Sequence, residues 1–340
     1  MKRLLSIVAL LGFALSCASP ALAARVPKFD HVVIIMLENH GNTSIVGNPN
    51  APQITKLAKT YGYGAEYYGV THPSLPNYVA LTSGNNWYSN SDNPTQRFNH
   101  VNIVDQFEAH HISWKAYMQS LPSAGYDGNF APAGAKDPLY VIRHDPFMLY
   151  RDVRRSPARR KHVVPLRQLS KDLSAGDLPQ YAWISPNVCH DMHGMDGSAC
   201  PYSNDAKLKR LGDEFVATWV HRIMSSKSWT KRSVIFITTD ETDYDGGNKA
   251  TGGWLNAYGC CDSPSVPKGA PFFPSGGMYG GGIIPLVVIS GVGKPHFVSH
   301  RKYNHYAMLR TIEESWGLPF LGMAGDNINV HAMSDFFIQR

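Results

Sequence analysis

The run His31–Leu37, HVVIIML, is apolar at every position after its histidine, with no alternating polar face. A strand of that kind is buried on both faces, which happens in a parallel sheet covered by helices on each side. The pattern recurs as Tyr181–Ser185 (YAWIS), Ser233–Thr238 (SVIFIT) and Ile283–Ile289 (IIPLVVI), each ending abruptly in polar or turn residues. Helical patterns separate them. Ile54, Leu57, Ala58 and Tyr61 recur at helical spacing before Gly62, a predicted C-cap, and Leu208, Leu211, Phe215, Trp219, Ile223 and Met224 form a longer stripe. Alternating strands and helices predict an α/β fold, a doubly wound and mainly parallel sheet sandwiched by helices.

Two segments fit this scheme poorly, residues 85–177 in part and 243–282 almost entirely; the second is rich in Gly, Pro, Ser and aromatics. They read as loop or cap excursions from a single domain spanning 24–340. Residues 1–23 have a basic start, an apolar centre and small residues ending in Ala21-Leu22-Ala23. This predicts a signal peptide cleaved after Ala23 and a periplasmic or secreted protein, in preference to a lipoprotein anchored through Cys17. Nothing later approaches the roughly 18 apolar residues of a membrane span, so no stable membrane insertion is expected. The formal charge of +6 would fall to +4 without Lys2 and Arg3, too mild to argue for nucleic acid. The basic stretch Arg151–His162 reads as a solvated face. In an oxidising compartment Cys189, Cys200, Cys260 and Cys261 would pair. Cys189 with Cys200 would staple a loop holding His190 and His193, while the strain of joining two neighbours leaves the crossed pairings open.

In open α/β sheets ligands bind beyond the carboxyl ends of the strands. Polar groups gather at three of those ends: Glu38 and Asn39, then Asn187, His190, Asp191 and His193, then Asp240 and Glu241. Carboxylates, an amide and imidazoles in such numbers suit a divalent metal. The stretch Thr71–Tyr78, THPSLPNY, holds Ser74 between two prolines at a helix start, where its hydroxyl is either a cap or a nucleophile facing an anion. His305 stands at another helix start, placed for a metal, a phosphate or the core.

Together ENH, HPSLPNY, RHDPF at Arg143–Phe147, SPNVCHDMHG, TTDE, VISGVGKPHFVSH and NHYAMLRTIEESWGL resemble, in order from Phe29 to Leu318, the bacterial phosphoesterase family. That family groups acid phosphatases and phospholipases C within the alkaline phosphatase superfamily. The resemblance implies a divalent metal held by Glu38, Asn39, Ser74, Asp240 and Glu241, with Ser74 as nucleophile. His144, His190 and His193 then face phosphate or transfer protons, and Asp191 and His305 make a second metal or phosphate contact. A phosphate ester, small molecule or phospholipid, would be the substrate. The chain departs from the larger phospholipases after Glu241, where it reads TDYDGGN with no histidine, and ENH continues as GNTS. Those departures favour an acid phosphatase over a phospholipase C or other phosphodiesterase, the latter served by an aromatic loop at 244–279. No GxSxG elbow supports a carboxylesterase, the serine lacks a sulfatase setting, and a non-catalytic anion-binding exoprotein is the remote alternative.

Overall fold

A computed structural model describes residues 25–197, 199–243, 258–263 and 280–339. The expected leader and most of the 243–282 excursion, including nearly all of the aromatic loop, lie outside the described residues.

The main sheet has nine strands: β1 Val32–Leu37, β2 Gly62–Tyr68, β3 Trp114–Met118, β4 Val163–Pro165, β5 Tyr181–Ser185, β6 Val234–Thr239, β7 Ile283–Ser290, β8 Phe297–Ser299 and β9 Tyr303–Asn304. Their order is β8-β2-β7-β6-β1-β5-β3-β4, with β9 also on β2. The helices that cover the sheet include α1 Pro52–Thr60, α2 Ser74–Ser83, α3 Ile103–Ala109, α4 Asp205–Met224 and α5 His305–Trp316. Strand β1 is central, parallel to β5 on one side and to β6 on the other. Val32, Ile34 and Met36 pack with residues of α2, α3 and α5, and Val33, Ile35 and Leu37 pack with α1 and α4. Both faces are covered, so the strand needs no polar side. Each such buried side chain stabilises the fold by about 1.5–3 kcal/mol. Residues 85–177 contribute α3, β3, β4 and a helix at Arg167–Ala175 to the sandwich.

Two details differ from the sequence reading. Gly62 is no C-cap: Tyr61 ends the helix, and Gly62 opens β2, where an added Cβ would lie 2.7 Å from the Phe336 ring. The glycine admits that close packing, which hides the strand from a hydrophobicity pattern. Strand β7 runs antiparallel to both β2 and β6. Its apolar run reads like its parallel neighbours because it is equally buried, and burial does not encode direction. Ser290 therefore sits at the amino edge opposite Val234, while Gly281 and Gly282 reach the end where the polar residues gather.

The basic stretch is partly tied down, with Arg159 bridging Asp105, Glu108 and Asp152 and Arg160 paired to Asp127. Two disulfides join Cys189 to Cys200 and Cys260 to Cys261.

Glu313 on α5 is buried; its Oε1 accepts from Gln106 Nε2 (3.1 Å) and Leu321 N (2.9 Å), and Oε2 has no partner. Burial pushes its carboxyl up to about 8. The folded chain thus keeps a proton there that the unfolded chain loses near the ordinary value of 4.5, so stability falls as pH rises between those values. Glu313→Gln should match wild type near pH 5 and exceed it at pH 8 by on the order of a few kcal/mol in urea unfolding. A constant difference across that range would refute this.

Candidate active site

The turn before α2 is set by backbone constraints. The His72–Pro73 peptide is cis, and Pro73 occupies the N-cap position with no side-chain cap bond, leaving Ser74 as the first helical residue. Its hydroxyl is therefore no cap. It donates to Glu38 Oε2 at 2.9 Å and lies 3.5 Å from Asn39 Oδ1. Asn77 pins the turn: its Oδ1 accepts from Val70 N and Thr71 N, and its Nδ2 donates to Thr71 O, Pro73 O and Glu241 Oε2. Gly69 lets this backbone pass the neighbouring strand end, since a Cβ there would stand 2.8 Å from Asp240 O.

Parallel pairing of β1 with β6, Leu37 opposite Thr239, puts the next residues of both strands side by side. Asn39, at φ 50° where asparagine is tolerated, donates its N–H to Asp240 Oδ1 at 3.1 Å. Among the described residues Asp240 Oδ2 is buried without a hydrogen-bond partner. Burial pushes the Asp240 carboxyl up to about 7, and burial followed by the charges of Asp240 and Asp191 pushes Glu38 well up. Tyr78, one helical turn after Ser74, donates to Glu38 Oε1 and stacks on His144 with ring centres 5.6 Å apart.

His144 Nδ1 donates to Asp191 Oδ2 at 2.9 Å, and its Nε2 lies 3.1 Å from Glu38 Oε1. Asp191 Oδ1 accepts from His193 N at 2.7 Å. His193 donates from Nδ1 to Gly194 O (2.7 Å), so its Nε2 accepts from Arg143 Nη2 at 3.2 Å. Burial, then the Arg143 charge, pushes His193 down to about 4. Ser74, Glu38, Asn39, Asp240, His144 and His193 are thus brought together. Beside them a cleft of about 370 Å³ is lined by Asn39, His193, Tyr202, Asp205, Lys209 and Glu241, among others.

Four of the expected contacts are placed differently. His190 turns away, its Nδ1 on Gln119 Oε1 at 3.0 Å and its ring stacked on Phe215. The loop sends Asp191 inward and so sends its neighbour outward. Asp191 stands behind His144 with both oxygens engaged. His305 is fully buried, with Nδ1 against Tyr67 OH (3.0 Å) and Nε2 donating to the Asp240 backbone carbonyl (2.7 Å), so no ring nitrogen remains for a metal or phosphate. Glu241 gives Oε2 to His72 Nδ1 (3.1 Å) and Asn77, bracing the turn, while bordering the cleft. Arg143, Asn77 and Tyr78 join the site without having been singled out, although all three lie inside the RHDPF and HPSLPNY segments.

The donors fit a divalent cation. Carboxylate, amide and hydroxyl oxygens of Glu38, Asp240, Asn39 and Ser74 converge, and the orphaned Asp240 Oδ2 among buried like charges calls for a positive partner. A second grouping shares Glu38: one atom each from Glu38, His144 and His193 lie within 4.8 Å of one another.

The fold is similar to that of solved proteins of the alkaline phosphatase superfamily. A superfamily protein from Vibrio parahaemolyticus superposes with a TM-score of 0.54 at 14% identity, covering 87% of this chain and 68% of that one. The chain belongs to the phosphoesterase family, whose model matches residues 48–319 and so spans Ser74, His144, His193 and Asp240, with Glu38 and Asn39 just ahead of it. A phosphate-repressible acid phosphatase of Penicillium chrysogenum is 28% identical over 309 residues, 89% of this chain and 63% of that protein. A phosphatidylinositol-3-phosphatase of Mycobacterium tuberculosis is 27% identical over 306 residues, 89% of this chain and 82% of that protein. The chain thus spans less than two thirds of the Penicillium relative, and the relatives are fungal as well as bacterial.

Asn77→Ala would strand three buried backbone groups of the turn, Val70 N, Thr71 N and Thr71 O. It should lower unfolding free energy by about 3 kcal/mol or more in urea titration. A loss below about 1 kcal/mol would show that the turn holds itself.

Proposed function

We propose that the protein is an exported, metal-dependent phosphoric ester hydrolase of acid-phosphatase type, acting through a phosphoserine at Ser74. The observation that carries this is the Ser74 hydroxyl aimed at Glu38 Oε2, 2.9 Å away in a buried pocket with Asn39 and Asp240. Membership of the phosphoesterase family supports it, as do the acid phosphatase and phosphatidylinositol-3-phosphatase among its relatives. Glu38, Asn39, Ser74 and Asp240 would hold the metal, with Glu241 alongside. A bound divalent cation would favour the serine alkoxide and neutralise phosphoryl oxygens.

The chain's own groups account for the protons. Ser74 Oγ attacks phosphorus, its proton passing toward Glu38 Oε2, and the bond to the alcohol oxygen breaks. The departing alkoxide takes the Nε2 proton of a doubly protonated His144, whose Nδ1–H stays on Asp191. Water then attacks the phosphoserine and returns a proton to His144, and Ser74 recovers its own. Alignment and charge stabilisation do most of the work in phosphoryl transfer.

The cleft beside the Ser74 group is walled by Lys209, Asp205, Tyr202 and His193 together with Met192 and Leu208. Such walls suit a polar alcohol better than two acyl chains, which favours a phosphomonoester over the phospholipid substrate of a phospholipase C. Cleavage after Ala23 would leave one phosphoesterase domain outside the cytoplasm. Among the described residues no helix is long and apolar enough to cross a membrane.

Ser74→Ala should cut hydrolysis of 4-nitrophenyl phosphate by roughly 10³-fold or more, and chelation should abolish wild-type activity until a divalent metal is restored. His144→Ala should cost about 10²-fold or more, whereas His190→Ala should stay within about threefold of wild type. Full, chelator-resistant turnover by Ser74→Ala would defeat the mechanism; faster release of diacylglycerol from phosphatidylcholine than of phosphate from the monoester would favour a phospholipase C.

A further inference from the structure

Arg143 immediately precedes His144 and lies against the same group of residues, its Nη2 donating to the Nε2 of a neutral His193 that lines the cleft. Among the described residues it makes no ion pair, although its charge acts on Glu38, Asp191 and Asp92. Its Nε is buried with no hydrogen-bond partner. Tyr202, its ring tilted against His193 with centres 5.4 Å apart, also feels that charge. A guanidinium held by an imidazole makes no direct carboxylate pair among the described residues, and its unpartnered Nε leaves hydrogen-bonding capacity for a planar pair of oxygens.

We propose that Arg143 recognises the second negative charge of a phosphomonoester and thereby sets the preference of the Ser74 site for monoesters over diesters. This rests on the proposed phosphoesterase activity. A monoester carries close to two negative charges at pH 7 and leaves three phosphoryl oxygens free. A diester carries one charge, and its second substituent occupies one of those oxygens. Arginine meets two phosphate oxygens in parallel; a diester also leaves two, but they share one charge and must serve the proposed metal as well, so the guanidinium gains more from the dianion. His193 acts in this arrangement as a positioning residue: with Nδ1–H fixed on Gly194 O, its Nε2 lone pair aims the guanidinium.

The test compares wild type, Arg143→Lys and Arg143→Ala at pH 7 on 4-nitrophenyl phosphate and bis(4-nitrophenyl) phosphate, with inorganic phosphate as inhibitor. Arg143→Ala should lose about 10²–10³-fold in kcat/KM on the monoester and less than about 10-fold on the diester, with phosphate inhibition weakened at least about 10-fold. Arg143→Lys, which retains charge without the fork, should fall between. A readout free of turnover uses the Ser74→Ala protein: inorganic phosphate should raise its melting temperature, and adding Arg143→Ala should remove that shift. Equal fractional losses on both esters, or an undiminished phosphate effect, would overturn the assignment. If Arg143→Ala does not fold, the Lys variant decides, since an unchanged monoester-to-diester ratio in it would overturn the assignment equally. Failure of wild type to hydrolyse either ester would instead sink the functional reading on which this one stands.

Discussion

The arrangement depends on burying Glu38 and Asp240 next to each other at the carboxyl edge of the sheet. Leu37 pairs with Thr239, so the backbone register leaves the two acids no choice of neighbour. Removing carboxylates from water is costly, and a second one close by makes each harder to ionise. Protons or a cation must relieve that repulsion, and the partnerless Asp240 Oδ2 marks where relief is incomplete. The Ser74 hydroxyl enters this field from a different element, and its chemistry follows from which charges surround it.

Much of the surrounding structure keeps these groups in position. Asn77 satisfies the turn that carries Ser74, and Glu241 holds Asn77 and His72. His305 supports the Asp240 backbone from behind, itself anchored by Tyr67. Asp191 orients His144 and accepts from the His193 N–H. Ser74, His144 and the Asp240 backbone are thus held by residues packed around them, the usual condition for a site held to a fraction of an ångström.

The fold was legible because doubly buried strands and amphipathic helices leave periodic marks, as HVVIIML and the stripe of α4 do. Strand β2 was not, since GYGAEYY owes its place to glycines that admit Phe336 and Leu286 and to pairing with β7, neither of which is a pattern of hydrophobicity. The direction of β7 was equally hidden. At the site, Glu38, Asn39 and Asp240 could be found from their positions after strands. Histidines were harder, because His190 and His193 sit three apart in one loop and only its path sends one to Phe215 and the other to Arg143.

By itself the sequence determined the sandwich, the end of the sheet where polar groups collect, and the identity of most groups gathered there. Those properties follow from local chain chemistry, from burial periodicity and from residues that end strands. Only the tertiary structure decided which of those groups face the pocket and which stand behind it. A hydrogen bond such as Ser74 to Glu38, or the approach of Arg143 to His193, joins residues far apart in the chain, and their distance is set by the packing of whole elements.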